Sequence, residues 1–523
     1  MRKAAVVVFI CCIGAWAQNA SDPGAAVYKR HCAVCHDSNA VRIPPRSALE
    51  LRSSGAIWKA VDSGVMKQQG ASLSLSDRAF VAKWLGRKTA IPVDHLANVC
   101  RNPPTAARGT ARPSWISWGG SLANRRFQPA DAAGLAAADV PRLKLKWAFA
   151  VADASYLRSQ PAVYDGHIIF GGGETIYSLD ATSGCTQWAT DMPVAVRSGI
   201  SIGSPLETPL AFFGDFGGSV HAINAANGSP VWQVHADPHP SAMVTGTPVY
   251  YNERLYVPVA SFEEVTAVSP EYVCCTFRGS VLALDARSGK TLWHTYTIDD
   301  HPKIPHISRN GRKSIGPSGA GIWSAPTVDQ QKGVLYVTTG DNYSDPPSSM
   351  SDAVLALSLD TGKLLWSRQL QAGDAYNVAC RDPTNKKNCP DANGPDFDFG
   401  SPAMLTELPN GRRVLILPQK SGIIYALDPD DNGKLVWQSQ IGKGGRLGGV
   451  EWGPAADEAL LYVAVSDTAF LAERSDLRNL LDPEKGGGLF ALRRPLSASI
   501  DDPDFAVAAR PLARTDRRSH ARR

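Results

Sequence analysis

Hydrophobic and polar positions follow three different rhythms along this chain. The first is an unbroken apolar run at residues 4–13, directly behind the basic pair Arg2-Lys3. The second is helical. Within residues 25–85 apolar positions recur at helical spacing, as in Leu75-Ser-Asp-Arg-Ala-Phe-Val-Ala-Lys-Trp-Leu85, where Ser76 can cap the helix. The third begins after Pro113 and is the short alternation of strands, punctuated by Asp or Asn, Gly and Trp at fixed offsets.

That punctuation is a repeat. Ile176-Tyr-Ser-Leu-Asp180 leads to Gly184 and Trp188, and Val220-His-Ala-Ile-Asn224 leads to Gly228 and Trp232. Val281-Leu-Ala-Leu-Asp285 leads to Gly289 and Trp293, and Val354-Leu-Ala-Leu-Ser358 to Gly362 and Trp366. Ile424-Tyr-Ala-Leu-Asp428 runs to Gly433 and Trp437 with one extra residue. Each unit predicts a strand, a tight turn and a return strand whose indole packs between neighbouring sheets. Further strand-like segments precede the units, such as 162–170 and 334–337. Four strands per repeat predict the blades of a β-propeller, so the fold class is mainly β, preceded by a small all-α domain.

Composition changes the picture little. Gly 46, Pro 37 and 20% charged residues agree with a turn-rich β protein. The formal charge of +5 comes from the ends, where residues 493–523 hold eight arginines against four aspartates. The remainder is near neutral, so nothing in the charge argues for nucleic acid or an anionic membrane surface. The basic start, the apolar run and Ala15-Trp16-Ala17 predict a secretory leader cleaved before Gln18, and no stretch is apolar for long enough to span a bilayer. The expected organisation is a leader (1–17), a cytochrome-sized helical domain (18–90), a linker (91–113), the propeller (114–492) and an arginine-rich tail (493–523). The expected location is periplasmic or secreted, where disulfides persist.

Cysteine spacing supplies the first chemistry. Cys32-Ala33-Val34-Cys35-His36 is the c-type haem attachment pattern: two thiols for thioether bonds and a histidine beneath the iron. Met66 is the expected second axial ligand, being the only methionine between that pattern and the propeller. One covalent haem c is therefore expected, with Cys32 and Cys35 as attachment points and His36 and Met66 on the iron.

The repeats resemble those of the quinoprotein dehydrogenase family, whose blades carry this Asp…Gly…Trp turn around an axis that holds pyrroloquinoline quinone (PQQ). An N-terminal cytochrome c ahead of such a propeller is similar to the cytochrome-containing polyvinyl-alcohol dehydrogenases. The resemblance covers roughly residues 25–492. Trp118-Gly119-Gly120 through Asn124 and Phe127 to Trp147 resembles the family's entry signature, a strand completing the last blade.

The resemblance implies site residues one at a time. Trp323, in Gly319-Ala-Gly-Ile-Trp323, is similar to the tryptophan that stacks under the quinone. Asn342, in Gly340-Asp341-Asn342, resembles a calcium ligand, as does one of Glu263 and Glu264. Lys420, in Gln419-Lys-Ser-Gly422, resembles the basic group that reaches the quinone oxygens, and Arg278 a ligand of its carboxylates. The neighbouring Cys274 and Cys275 resemble the vicinal disulfide packed against the cofactor. Cys380 with Cys389, and Cys100 with Cys185, are left as structural pairs. The proton acceptor is expected at Asp374 in Gly373-Asp-Ala-Tyr-Asn377, with Asp398 as the second candidate.

The function implied is alcohol or polyol oxidation with PQQ and calcium, electrons passing through the haem to an external acceptor such as a soluble cytochrome or a quinone pool. The alternative is a scaffolding propeller beside an electron-carrying cytochrome. A sixth repeat starts at Gly486-Gly-Gly-Leu-Phe-Ala-Leu492 but continues into arginines with no further Gly or Trp. Relatives of the eight-bladed type need about two more blades, so the expectation is a C-terminally truncated ring, against the alternative of a naturally short propeller with a disordered tail.

Overall fold

Strands dominate the described part of the chain, as the alternation requires. The computed structural model describes residues 23–493 apart from short interruptions, the longest at 87–97, 102–113 and 470–479. The expected leader and the tail from residue 494 lie outside the described residues. The chain divides into two compact units, residues 1–93 and 94–523. Among the described residues no helix is long and apolar enough to cross a membrane.

The first unit is helical. Helices Pro23–His31 and Leu75–Leu85 cross so closely that a Cβ on Gly24 would lie 2.2 Å from the Phe80 carbonyl oxygen, an approach that only glycine permits. Val27, Tyr28, Ile57, Leu73, Val81 and Leu85 form the core beneath them. Ser74, rather than Ser76, caps the second helix: its Oγ accepts the Asp77 N–H at 3.0 Å and donates to the Asp77 carboxylate at 2.8 Å. The earlier start follows because Ser76 has only Ala79 at the matching position, which offers no such return bond.

The second unit is built from five antiparallel blades of four consecutive strands and a three-stranded sixth, each ordered outward from the axis along the sequence; the third blade carries a fifth, short strand, Ala242–Met243. Their innermost strands are Ala162–Tyr164, Ser201–Gly203, Val249–Tyr251, Thr327–Asp329, Met404–Glu407 and Ala455–Ala456. All five predicted hairpins are the outer pairs of blades one to five. Each has a register shift at the same place, as between Ala283 and Leu284 or Ala356 and Leu357.

The tryptophans interlock the blades. Each indole lies on the turn glycine of the following blade: a Cβ on Gly228, Gly289, Gly362 or Gly433 would come within 2.5–2.8 Å of Trp188, Trp232, Trp293 or Trp366. These glycines have φ of 69–73°, so two independent constraints exclude a side chain there. Trp293 Nε1 also donates to the Leu359 carbonyl in the next blade at 3.1 Å. Trp293→Ala should therefore cost about 3 kcal/mol of propeller stability, read as a lower denaturant midpoint.

The segment resembling a last-blade strand divides in two. Trp147 takes the interlocking place on Gly184 of blade one, its Nε1 donating to the Ala181 carbonyl at 3.3 Å, as the outer strand of a preceding blade would, while the stretch 115–126 does something else. Trp115 pairs with Val163 in blade one, and the carbonyls of Ile116, Leu122, Ala123 and Arg125 accept from Ile202, Val328, Leu405 and Ala456. It is an axial strap joined to the innermost strands of blades one, two, four, five and six. Those strands each leave one edge unpaired toward the axis, and the strap supplies the missing acceptors. Part of the expected linker also belongs to blade one: Cys100 is bonded to Cys185, and Val99 lies parallel to Thr186.

Candidate active site

One end of the propeller collects the chemistry, and the repeat explains how. Counting four residues back from each innermost strand gives Arg158, Arg197, Thr245, Trp323, Gly400 and Glu451. This is one position per blade, at the end away from the Asp…Gly turns. Gly400 is bare for a reason: a Cβ there would stand 2.5 Å from the Trp323 ring. Thr245 Oγ1 is buried with no hydrogen-bond partner.

Lys420 organises the acids beside Trp323. Its ammonium donates to Asp396 Oδ1 and Asp398 Oδ2, both at 2.7 Å, and lies 5.5 Å from the centre of the Trp323 ring. Asp398 Oδ1 accepts the Asp341 N–H at 2.7 Å. One carboxylate oxygen from each of Asp341, Asp396 and Asp398 falls within 4.8 Å of the others. Asp341 Oδ2 is buried without a partner. Burial, followed by the charges of Asp398, Glu264 and Asp396, drives the Asp341 carboxyl well above its ordinary value. Burial likewise raises Asp396, against the pull of Lys420. Buried carboxylates this close, one with an orphaned oxygen, suit a hard cation that takes oxygen ligands.

The two adjacent glutamates point to different tasks. Glu263 is fully buried and saturated: Tyr272 Oη, Thr276 N and Phe277 N donate to it at 2.6, 2.8 and 2.8 Å. Glu264 instead is within electrostatic reach of Lys420 and Asp398, on the side of the acid cluster.

Three expected residues are occupied elsewhere. Asn342 donates to the Ser318 carbonyl at 2.8 Å and accepts from Ser348 N at 2.6 Å, so its amide pins two backbone segments. Its neighbour Asp341 faces the cluster in its place. Asp374 is fully buried with both oxygens on backbone N–H groups, from Asp396 at 3.1 Å and Phe397 at 2.9 Å. It holds the loop that carries Asp396 and Asp398. Arg278 donates from Nη1 to the carbonyls of Ile298 and Asp299, both at 3.0 Å, under the Tyr296 ring.

Cys274 and Cys275 are bonded to each other and buried. Their sulfurs lie 3.8–4.0 Å from the Tyr343 carbonyl, and the Tyr343 side chain feels Glu264, Asp341 and Asp398. The pair therefore sits one residue layer behind the acids.

Arg158 and Arg197 were not anticipated. Their guanidinium carbons lie 6.0 and 5.6 Å from the Trp452 ring. Burial, then the charge of Arg158, pushes Arg197 down to about 10. Glu451 lies between this cationic side and the acids, raised by burial and feeling Lys420, Asp398, Arg197 and Arg158. The offset from the innermost strands would have found all three. A flat, polyanionic cofactor matches what is present: the Trp323 face, two arginines, Lys420 and the orphaned Thr245 hydroxyl.

In the helical unit, Cys32 and Cys35 are free thiols flanking one helical turn. His36 is buried, and its Nδ1 is 2.7 Å from the Pro44 carbonyl, which leaves Nε2 for a metal. Met66 lies half-buried at the start of helix Lys67–Gly70. These residues fit covalent haem attachment.

Comparison with known proteins agrees with this geometry. Residues 237–384 match the family model described as glucose/ethanol/alcohol dehydrogenase, beta-propeller domain, and residues 105–271 match that of outer membrane protein assembly factor BamB. A polyvinylalcohol dehydrogenase from Pseudomonas sp is 36% identical over 493 residues, covering 90% of this chain and 74% of the relative. Another from Sphingopyxis sp. (strain 113P3) is 35% identical over 474 residues, covering 86% and 72%. A solved quinohemoprotein alcohol dehydrogenase from Comamonas testosteroni shares the fold, with a TM-score of 0.53 at 19% identity over 68% of this chain and 58% of that one.

Proposed function

The chain belongs to the PQQ-dependent quinoprotein dehydrogenase family, and from that premise we propose that it oxidises alcohols and polyols of the polyvinyl-alcohol type in the periplasm or outside the cell. The observation that carries the reading is the buried group of Asp341, Asp396, Asp398 and Lys420 beside the half-buried ring of Trp323. A scaffolding propeller has no use for so much buried charge, whose desolvation is unfavourable unless a ligand repays it.

When bound, PQQ supplies a two-electron oxidant and calcium a Lewis acid beside it. Trp323 offers the platform, while Arg158 and Arg197 offer guanidinium groups to carboxylates. Glu264, Asp341 and Asp398 would hold the cation. Asp396 is the proton acceptor. Both oxygens of Asp398 are already engaged, by Asp341 N and Lys420, whereas Asp396 has one oxygen on Lys420 and the other outside any hydrogen bond. Burial raises that carboxyl, and its unengaged oxygen suits a base that takes the alcohol proton. Lys420 would offer its ammonium to the oxygens of a bound quinone.

Cys32, Cys35, His36 and Met66 would hold a haem that relays single electrons to an external acceptor. Three disulfides agree with an exported chain. The test is to load the haem-containing protein with PQQ and calcium and add secondary alcohols or polyvinyl alcohol. The haem spectrum should turn to its reduced form, and an unchanged spectrum with every alcohol would refute the reading.

A further inference from the structure

The insertion that follows Tyr376 docks, through its described residues 386–389, onto the loop that presents Glu264. It is closed by the Cys380–Cys389 disulfide. Between those cysteines, Asn388 Nδ2 donates to three backbone carbonyls: Ala267 at 3.0 Å, Ser269 at 3.0 Å and Tyr272 at 2.9 Å. Lys387 Nζ reaches the Pro270 carbonyl at 2.5 Å. The carbonyl of Asn388 in turn accepts from Asn377 Nδ2 at 2.7 Å, and the same amide donates to Tyr343 at 2.8 Å.

The gathered carbonyls belong to one stretch, between the short helix Glu263–Thr266 and the Cys274–Cys275 pair. That stretch has no sheet partner to fix it. Two clamps hold it instead: Glu263 from within, through Tyr272, Thr276 and Phe277, and Asn388 from the insertion. Glu264 is carried between them. An amide has only two N–H groups, so spreading them over three carbonyls draws that backbone together at one point.

We propose that Asn388 is a positioning residue for the cation site: by gathering the carbonyls of Ala267, Ser269 and Tyr272 it fixes the helix that presents Glu264 to Asp341, Asp396 and Asp398. The proposal rests on the reading of Glu264 as a cation ligand. It assigns the insertion a role in metal retention, distinct from the disulfide's local bracing.

Calcium titrated calorimetrically into the chelator-treated, haem-containing full chain tests it. Asn388→Ala should weaken calcium binding by about tenfold, the scale of losses when a residue behind a metal ligand is removed. Asn388→Ser, which keeps one donor, should fall between and serves where the alanine variant does not fold. In a Glu264→Gln background, Asn388→Ala should add no further loss, because the residue it positions is gone. Wild-type affinity in the Asn388 variants, or an equal loss with and without Glu264, overturns the proposal while leaving the cation site intact. Undiminished calcium binding by Glu264→Gln alone removes the Glu264 reading and the proposal together.

Discussion

Asparagine in place of Asp396 is expected to lower kcat by about 10²–10⁴-fold, the usual worth of a positioned base. The fold should survive, since asparagine keeps an acceptor for Lys420, which now bonds Asp396 at 2.7 Å. Burial raises the Asp396 carboxyl. The active form is the deprotonated one, so kcat of the wild type should climb as pH rises through that raised value, and the variant should lose this limb. The comparison with Asp374→Asn is decisive. Both Asp374 oxygens accept backbone N–H groups, of Asp396 and Phe397, and asparagine can accept only one of them. That variant should lose stability and activity together, with its residual pH profile unchanged. Stopped-flow rates with a saturating alcohol and an artificial acceptor would separate the two. A pH limb surviving in Asp396→Asn would move the base elsewhere.

Methionine in place of Lys420 should cost about 3–5 kcal/mol in the metal-free protein, because it leaves buried carboxylates without their counter-ion. Lys420 is 6% exposed and bridges Asp396 and Asp398. Their charges, with that of Glu264, hold its ammonium well above its ordinary value despite burial. A lysine pKa raised by folding contributes stability that is complete below the unfolded value of about 10.4 and is lost only above the folded one. The loss should therefore be full at pH 7. Calcium should restore more stability to the variant than to the wild type, since the cation takes over the neutralising role. Denaturation curves with and without calcium would show this. Equal calcium shifts in both proteins would mean that ion and ammonium do not share the same carboxylates.

The repeat was readable because turns and interlocks demand particular residues. Asp180, Asp285 and Asp428 accept N–H groups from their own turns, and each turn glycine lies under an indole. The site was less readable because its residues are adjacent alternatives. Glu263 and Glu264, or Asp341 and Asn342, differ by one step along the chain, and only the backbone's direction decides which side chain meets the cluster. Asp374 carries a loop signature and spends its carboxylate on bracing that loop. Arg158 and Arg197 escaped notice because their position is set relative to the innermost strands, while the repeat marks the outer pair. The strap went unread for a related reason: only the Trp147 end of that segment interlocks with a blade as a strand would, while residues 115–126 bond to the inward edges of several blades.

That strap also constrains the order of events during synthesis. Residues 115–126 leave the ribosome before any blade, yet their partners extend to Ala456 in the sixth. Closing contacts across more than three hundred residues is entropically slow, so early blades must wait with exposed axial edges. An exported chain would meet this delay on the far side of the membrane. The axial edges therefore stay open until the strand carrying Ala456 arrives, and a pocket around the axis is not finished before then.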